Sequence, residues 1–237
     1  MRHSFPSVFA IAATATFLMA GGAGASDLSY TYLKGGAVGV DVDQSAGVAN
    51  PKNGLVGEVS TEDDKGFYLG ASWAVRDRWL VFADYQDASQ DISLKGTRPG
   101  AVINSDGDFD LIRLSLGVGY VKPMSESWDL YGRLSFEYAE ADSLGFPGLP
   151  GDDSDDNGFG AQIGARMDLW RRLDGEAYVR YTSVGDMSIE RDYSASFDDD
   201  VLGGVQLHWS IGNNFGLEAG YEFGEITTWN LGARFEL

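Results

Sequence analysis

The feature that most constrains this chain is a strict alternation of apolar and polar residues, repeated in segment after segment. Between residues 108 and 122, Ile112, Leu114, Leu116 and Val118 are apolar, and polar or small residues separate them. Successive side chains of a β-strand point to opposite faces, so a period of two predicts strands with one apolar and one polar face. The pattern occurs ten times, at residues 30–42, 67–75, 79–85, 108–122, 128–138, 159–169, 173–182, 201–211, 215–223 and 229–237.

These segments predict an all-β fold, an antiparallel up-and-down transmembrane β-barrel of about ten strands. A closed barrel pairs every backbone group inside hydrocarbon, and bacterial barrels have even strand numbers. Eight strands remain an alternative if the first or last hairpin is misassigned. A soluble sandwich is disfavoured because the apolar outward positions exceed what two packed sheets usually bury.

The first strand is the least regular of the ten. Lys34 is expected on its apolar face, and Gly35 and Gly36 lie in its middle. In the third segment, Leu80 and Phe82 are expected to point inward together with the polar residues. Both departures predict local irregularity at this side of the barrel.

The connections between the segments predict the orientation in the membrane. Residues 76–78, 123–127, 170–172 and 212–214 form short turns, whereas residues 43–65, 87–107, 141–156 and 185–200 form long loops. Short turns of outer-membrane barrels face the periplasm and long loops face the exterior. Both chain ends are therefore expected in the periplasm.

The N-terminal residues have the pattern of a secretory signal peptide. Arg2 precedes an apolar run, and the small residues up to Ala25 form a cleavage site. The run is too short for a membrane-spanning helix, which needs about 20 residues. We expect residues 1–25 to be the signal peptide and residues 26–237 to form one barrel domain.

Charge and composition exclude some classes of protein. The chain has 17 basic and 36 acidic residues, so its surface would repel phosphate backbones and nucleic acid is not expected as a partner. It contains no cysteine, which excludes disulfides and thiolate metal sites. The mean hydropathy of −0.18 resembles that of a soluble protein, as expected when every second strand residue faces a polar interior.

Aromatic residues occur where the two membrane interfaces are expected. Transmembrane barrels carry aromatic belts at both interfaces. The predicted periplasmic belt contains Trp79, Trp128, Trp170 and Trp209. The predicted outer belt contains Tyr85, Tyr138, Tyr181 and Trp229.

This pattern resembles the small stand-alone outer-membrane β-barrel proteins of the OmpA-like, porin-like superfamily. The resemblance covers nearly all of residues 28–237. It includes the last strand, residues 229–237, which is similar to the terminal signal read by the barrel-assembly machinery. Family members usually end in Phe or Trp, whereas this chain ends in Leu237 with Phe235 two positions before. The resemblance implies the outer membrane of a Gram-negative bacterium, with outer-membrane lipids, the assembly machinery and periplasmic chaperones as partners.

The inward faces of the strands carry charged residues of both signs. About ten tilted strands enclose a narrow lumen that side chains largely fill. We predict an interior ion-pair network formed by Arg113, Arg133, Glu137, Arg166, Glu176, Arg180, Glu218, Glu222 and Arg234. A narrow water path stays open as an alternative, because inward glycines such as Gly117, Gly164 and Gly204 would leave space.

Catalytic and metal candidates are weak. His208 and Ser210 resemble the His-x-Ser pair of outer-membrane lipid A deacylases, but the pattern points them inward. Ten-stranded omptin proteases need a histidine at the outer rim, and none lies there. Asp153, Asp155 and Asn157 match half of an EF-hand loop whose final Glu is missing. No cofactor and no catalytic residue are predicted.

The sequence therefore favours a structural and surface-interaction protein that presents acidic loops outside the cell, for envelope integrity or adhesion. External surfaces would be its partners. A narrow pore for small solutes is the competing hypothesis, and lipid or peptide hydrolysis is a third.

Overall fold

The structure is a computed structural model that describes residues 28–41, 47–50, 55–76, 78–143, 153–184, 200–224 and 227–237. The described residues form eleven antiparallel strands. In these ranges no helix is long and apolar enough to cross a membrane. The strands are β1 (Tyr32–Asp41), β2 (Gly47–Asn50), β3 (Leu55–Arg76), β4 (Trp79–Arg98), β5 (Ala101–Pro123), β6 (Trp128–Ser143), β7 (Asp153–Trp170), β8 (Leu173–Thr182), β9 (Asp200–Ser210), β10 (Phe215–Phe223) and β11 (Thr227–Glu236).

The strands close into a barrel of ten wall strands. β1 pairs with β11 on one side and with β3 on the other, so the sheet has no break at its seam. β2 pairs with β3 at Leu55–Glu58, beyond the part of β3 that pairs with β1, and so it continues β1 along the same wall position. The predicted barrel of ten strands is confirmed, and the eight-strand alternative is wrong.

The four predicted short turns lie at one end of the barrel, which we call the turn end. At one of them Met124 and Ser125 donate backbone hydrogen bonds to the Trp128 carbonyl at 3.1 and 3.2 Å. At another, Ile211 donates to the Phe215 carbonyl at 2.9 Å. The two ends of the barrel chain meet here as well, because Leu237 donates to the Thr31 carbonyl at 3.1 Å.

One predicted long loop, at residues 87–107, is instead a continuation of the barrel wall. β4 runs to Arg98 and β5 begins at Ala101, so a two-residue turn joins them. Gly100 has a φ of 86°. A type II turn requires a positive φ at its third position and often has proline at its second. Pro99 and Gly100 fit these two positions. The expectation of a long loop was wrong because this turn signal was not recognised.

Part of the loop predicted at residues 43–65 is also strand, since β2 and the first half of β3 lie there. β3, β4 and β5 are 22, 20 and 23 residues long. A tilted strand needs about 9–11 residues to cross a bilayer. These three strands therefore extend as a sheet well beyond the other end of the barrel, which we call the loop end.

The first strand faces the other way from the expectation. Lys34 lies on the inward face of β1, where Tyr32, Val38 and Val40 are also buried. The outward face carries Leu33, Gly35, Ala37 and Gly39 instead. The apolar residues of β1 mislead because they fill the interior, while small residues form its outer face.

The remaining wall has the predicted two faces. Large apolar side chains point outward and are exposed in the isolated chain, as for Leu134 (62%), Ile163 (67%) and Leu231 (58%). Buried inward positions include charged residues such as Asp129, Glu137 and Arg166. An apolar outer face around a polar interior is the arrangement of a transmembrane barrel.

Candidate functional site

The barrel interior is the candidate functional site, and the short segment before β1 lies inside it at the turn end. The Ser29 carbonyl accepts hydrogen bonds from Arg166 Nη1 at 2.5 Å and from Arg234 Nη2 at 2.6 Å. Tyr30 Oη donates a hydrogen bond to Asp129 Oδ2 at 3.1 Å. Three wall strands, β6, β7 and β11, therefore hold this segment inside the lumen.

The Tyr30 ring lies under a charged group, and the Tyr30 hydroxyl remains a hydrogen-bond donor. The Arg166 guanidinium lies 5.3 Å from the centre of the ring. Burial raises the pKa of Tyr30 above the ordinary value of a phenol; Arg166 opposes this rise and Asp129 adds to it. The hydroxyl therefore keeps its proton and its bond to Asp129 at physiological pH.

Apolar side chains complete the closure. Leu80, Val121 and Tyr131 form a buried cluster, in which Leu80 is only 1% exposed. Tyr30, Phe82 and Tyr178 pack against this cluster. We call this apolar layer the plug. The prediction that Leu80 and Phe82 point inward agrees with this placement.

Below the plug, towards the turns, a short chain of charged groups runs along the wall from β7 to β9. Arg166 Nη2 lies 2.8 Å from Asp174 Oδ2, and His208 Nδ1 lies 3.3 Å from the same oxygen. Arg234 stacks on the Tyr32 ring at 3.7 Å and pairs with Glu236 at 3.2 Å. These contacts orient the two arginines that bind Ser29.

Nearer the loop end, Glu137 is the centre of a second group. Its carboxylate accepts hydrogen bonds from Arg180 Nη2 at 2.6 Å, from Thr182 Oγ1 at 2.6 Å and from Ser135 Oγ at 2.9 Å. Arg180 Nη1 lies 3.9 Å from Glu222 Oε2. With three donors on one buried carboxylate, Glu137 is well satisfied as an anion.

The structure brings the predicted interior residues together, but tyrosines take many of the places expected for arginine. Glu176 accepts a hydrogen bond from Tyr131, Glu218 from Tyr68 at 2.7 Å and Glu222 from Tyr178 at 2.9 Å. Lys34, absent from the predicted network, lies 3.3 Å from Asp84. Arg133 stacks on Phe82 and Tyr131 with 5.2 and 4.9 Å to the ring centres, and Arg113 borders the interior cavity.

The space beside the inward glycines is occupied by neighbouring side chains. A methyl group added to Gly164 would collide with Tyr131, and one added to Gly204 would collide with the Tyr178 ring. Gly117 is covered by Phe82 in the same way. In each case glycine gives an aromatic ring on the neighbouring strand room to lie flat against the wall.

A chamber remains between the plug and the loop end. Its cavity volume is about 140 Å³, which is space for on the order of ten waters. Its wall includes Lys34, Asp84, Arg113, Arg180, Glu222 and Asn230. Above it, several inward residues are apolar and buried, including Leu111, Ala139 and Leu202.

The predicted aromatic belts fall at the two ends of the outward face. Trp79, Trp170 and Trp209 beside the short turns are 53%, 75% and 56% exposed, and Trp128 is half-buried. Towards the loop end, Trp229 is 41% exposed. Tyr85 and Tyr138 donate to Asp87 and Glu140, the next outward residues on their own strands, at 3.2 and 2.9 Å. Tyr181 packs on Phe159 with 5.9 Å between ring centres.

The metal and catalytic candidates have the following places. Asp155 and Asn157 lie in the paired first part of β7 and are exposed, while the Asp153 side chain lies outside the described residues. Among the described residues, no group of three or more acidic or histidine side chains could hold a metal ion. His208 is 4% exposed and faces Asp174 in the lumen, away from lipid.

Comparison with known proteins assigns the family. The model of the outer membrane protein beta-barrel domain family matches residues 10–198, well over half of the chain. The chain belongs to this family. The outer-membrane β-barrel family places it in the outer membrane of a Gram-negative bacterium, in contact with membrane lipids. No curated protein matches the chain.

Solved structures of other outer-membrane barrels are similar in fold. Ail, the attachment invasion locus protein of Yersinia pestis, is 15% identical with a TM-score of 0.40, over 87% of this chain and 97% of its own. OprG from Pseudomonas aeruginosa is 13% identical with a TM-score of 0.43, over 90% and 97%. The translocator domain of the autotransporter NalP from Neisseria meningitidis is 12% identical with a TM-score of 0.47, over 97% and 94%.

Alternation alone does not identify the residues that fill the lumen at the turn end of this outer-membrane β-barrel. It predicts Tyr30 as the start of the first strand and gives Tyr131 and Tyr178 no role. A signal was present, because register places each of these rings beside a glycine: Tyr131 pairs with Gly164, and Tyr178 pairs with Gly164 and Gly204. An inward aromatic residue opposite a glycine indicates a filled lumen.

Proposed function

We propose that this outer-membrane β-barrel is a non-conducting anchor that presents an extended sheet and acidic loops outside the cell, for contact with external surfaces or for envelope integrity. The closure at Tyr30 and Leu80 carries this proposal. A barrel whose lumen is crossed by hydrocarbon and by a pinned chain segment does not supply a path for solutes. Catalysis is not part of the proposal, because His208 is buried beside Asp174.

The extended sheet supports the part of the proposal that concerns presentation. On β4 the outward residues change from apolar to polar after Tyr85, and the strand continues to Arg98. At the tip of the β4–β5 hairpin, Val102 on β5 is 76% exposed. A sheet edge of this length beyond the membrane is a surface that strands or side chains of other molecules could contact.

Biogenesis completes the proposal. Residues 1–25 would be removed as a signal peptide after export, and periplasmic chaperones and the barrel-assembly machinery would deliver the chain to the membrane. Removal after Ala25 would leave a short N-terminal segment that enters the lumen at Leu28, which is 5% exposed. The mass of the purified mature protein would reveal the cleavage site.

Two measurements test the proposal. In planar bilayers, purified protein should give no steady single-channel steps, and such steps would overturn the closed barrel. For orientation, the absence of cysteine allows single-cysteine variants. Val102→Cys should react with a membrane-impermeant maleimide on intact cells, whereas Met124→Cys, exposed at the turn end, should react only after lysis. Labelling of Met124→Cys on intact cells would show that the orientation is the opposite of the proposed one.

The chamber favours a second candidate function, a narrow pore for small solutes. It is lined by charged and polar side chains and has space for on the order of ten waters. The conductance measurement separates the two functions, since a pore must connect the chamber to both sides of the membrane.

A further inference from the structure

The chamber carries an inference that is independent of whether the barrel conducts. Side chains of both charges line it, so its wall differs from the uniformly charged lining of a selective ion path. The basic residues are Lys34, Arg113, Arg133 and Arg180. The acidic residues are Asp84, Glu137, Glu176 and Glu222. The wall is therefore balanced in formal charge, and a ligand of one sign alone would meet like charges as well as opposite ones.

Arg133 is incompletely hydrogen-bonded by the wall. Its guanidinium lies over the rings of Phe82 and Tyr131. Within the described residues it forms no ion pair, and its buried Nε makes no hydrogen bond. By contrast, Lys34 pairs with Asp84 and Arg180 pairs with Glu137. A guanidinium held flat by aromatic rings is oriented to pair with a carboxylate in the chamber.

Acceptor groups on β10 and β11 are also incompletely used. Glu222 Oε2 accepts a hydrogen bond from Tyr178 and lies 3.9 Å from Arg180 Nη1. On the neighbouring strand, Asn230 Oδ1 is buried without a hydrogen bond. Glu222 and Asn230 both line the chamber, where an ammonium group would find acceptor oxygens.

We propose that the chamber binds a small zwitterion, with its carboxylate towards Arg133 and its ammonium group towards Glu222 and Asn230. The volume fits a ligand of about ten heavy atoms. A free amino acid of the size of serine meets these requirements of charge and size. Both charges are needed, because each half of the ligand alone would leave one side of the chamber unsatisfied.

Binding is tested with the mature protein folded in detergent micelles and titrated calorimetrically with L-serine, acetate and ethanolamine. We expect saturable binding of L-serine and at least tenfold weaker binding of acetate and of ethanolamine. Failure of L-serine to bind up to tens of millimolar would overturn the proposal. Acetate binding as tightly as L-serine would also overturn it, since the site would then be a simple anion site.

Substitutions in the chamber wall test where L-serine binds. Arg133→Gln and Glu222→Gln should each weaken L-serine binding at least tenfold, whereas Arg171→Gln, on an exposed turn residue, should leave it unchanged. Heat-modifiable gel migration establishes that each variant is folded. If Arg133→Gln does not fold, Asn230→Ala takes its place, with the same loss expected. Equal effects of Arg171→Gln and Glu222→Gln would overturn the proposed location. Because binding is measured at equilibrium in micelles, its outcome does not depend on the conductance of the barrel.

Discussion

The Tyr30 hydroxyl donates a hydrogen bond of 3.1 Å to the Asp129 carboxylate, so a residue that precedes the first strand is fixed to the start of β6. Asp129 has no exposed surface, and its removal from water requires partners. The contact therefore holds the N-terminal segment in the lumen and gives one oxygen of a buried carboxylate a hydrogen-bond donor.

Truncation of Tyr30 is predicted to open the turn end. In Tyr30→Ala the loss of the ring removes one side of the apolar plug, so single-channel steps should appear in planar bilayers where the parent protein shows none. Tyr30→Phe keeps the ring and loses only the hydrogen bond, which contributes about 1 kcal/mol, and should remain closed. Tyr221→Ala, on the outward face at 49% exposure, is the matched control. Closed behaviour of Tyr30→Ala would contradict the plug.

Loss of the Glu137 charge is predicted to destabilise the barrel strongly. Glu137→Gln removes the nearest charged partner of Arg180, whose other contacts are longer, at 3.5 Å to Ser115 Oγ and 3.9 Å to Glu222. Removing one partner of a buried pair destabilises by roughly 3 kcal/mol. The free energy of unfolding from lipid vesicles in urea measures this loss. Glu126→Gln, on an exposed turn residue, should change it by less than about 0.5 kcal/mol.

The ion pair itself is isolated by a double variant. If the loss in Glu137→Gln comes from an uncompensated arginine, then adding Arg180→Gln should recover part of it. The two changes should be non-additive by at least about 1 kcal/mol, as is typical of residues in contact. Additive losses would show that Glu137 acts through Thr182 and Ser135 instead.

Much of the fold follows from the sequence because membrane and lumen impose a period of two on each strand. Ile112 to Tyr120 on β5 and Leu134 to Tyr138 on β6 show this directly, and their faces are as expected. The rule fails on β1, because the inward face there is apolar too and the small outward residues give no contrast. Periodicity distinguishes the two faces of a strand only when one face is apolar and the other is polar.

The interior contacts were less predictable than the wall. Which strands pair with each other follows from chain order. Which side chains meet across the lumen depends on how far each side chain reaches. Arg180 on β8 reaches Glu137 on β6, although β7 lies between these strands. Tyr68 on β3 reaches Glu218 on β10 across β1 and β11. Such pairs depend on barrel diameter and strand stagger, which alternation does not encode.

Substitution of Gly36 is predicted to weaken the seam of the barrel. A methyl group at Gly36 would collide with the Leu231 carbonyl oxygen and with Gly232 Cα, both backbone atoms of β11. Backbone cannot move aside as a side chain does, so Gly36→Ala must separate β1 from β11. Gly212→Ala, which has nothing within 4 Å of the added methyl, is the matched control.

The readout is heat-modifiable migration combined with urea unfolding. Gly36→Ala should lose its compact band at a lower temperature than the parent protein and unfold at a lower urea concentration. Gly212→Ala should match the parent in both. Equal behaviour of the two variants would show that β1 and β11 are not paired in the membrane as they are in this barrel.

A charge on the outward face is predicted to be destabilising in proportion to its depth in the membrane. Leu134 lies in the middle of the apolar face of β6, between Trp128 and Tyr138, and is 62% exposed in the isolated chain. Arginine at the midplane of a barrel costs about 2–4 kcal/mol, and near the interface about 0–1 kcal/mol. Leu134→Arg should show the larger loss in free energy of unfolding from bilayers. Met124→Arg, in the turn between β5 and β6, should show the smaller one. If both substitutions cost the same, lipid does not surround this face, because only a hydrocarbon environment makes the position of the charge along the strand matter.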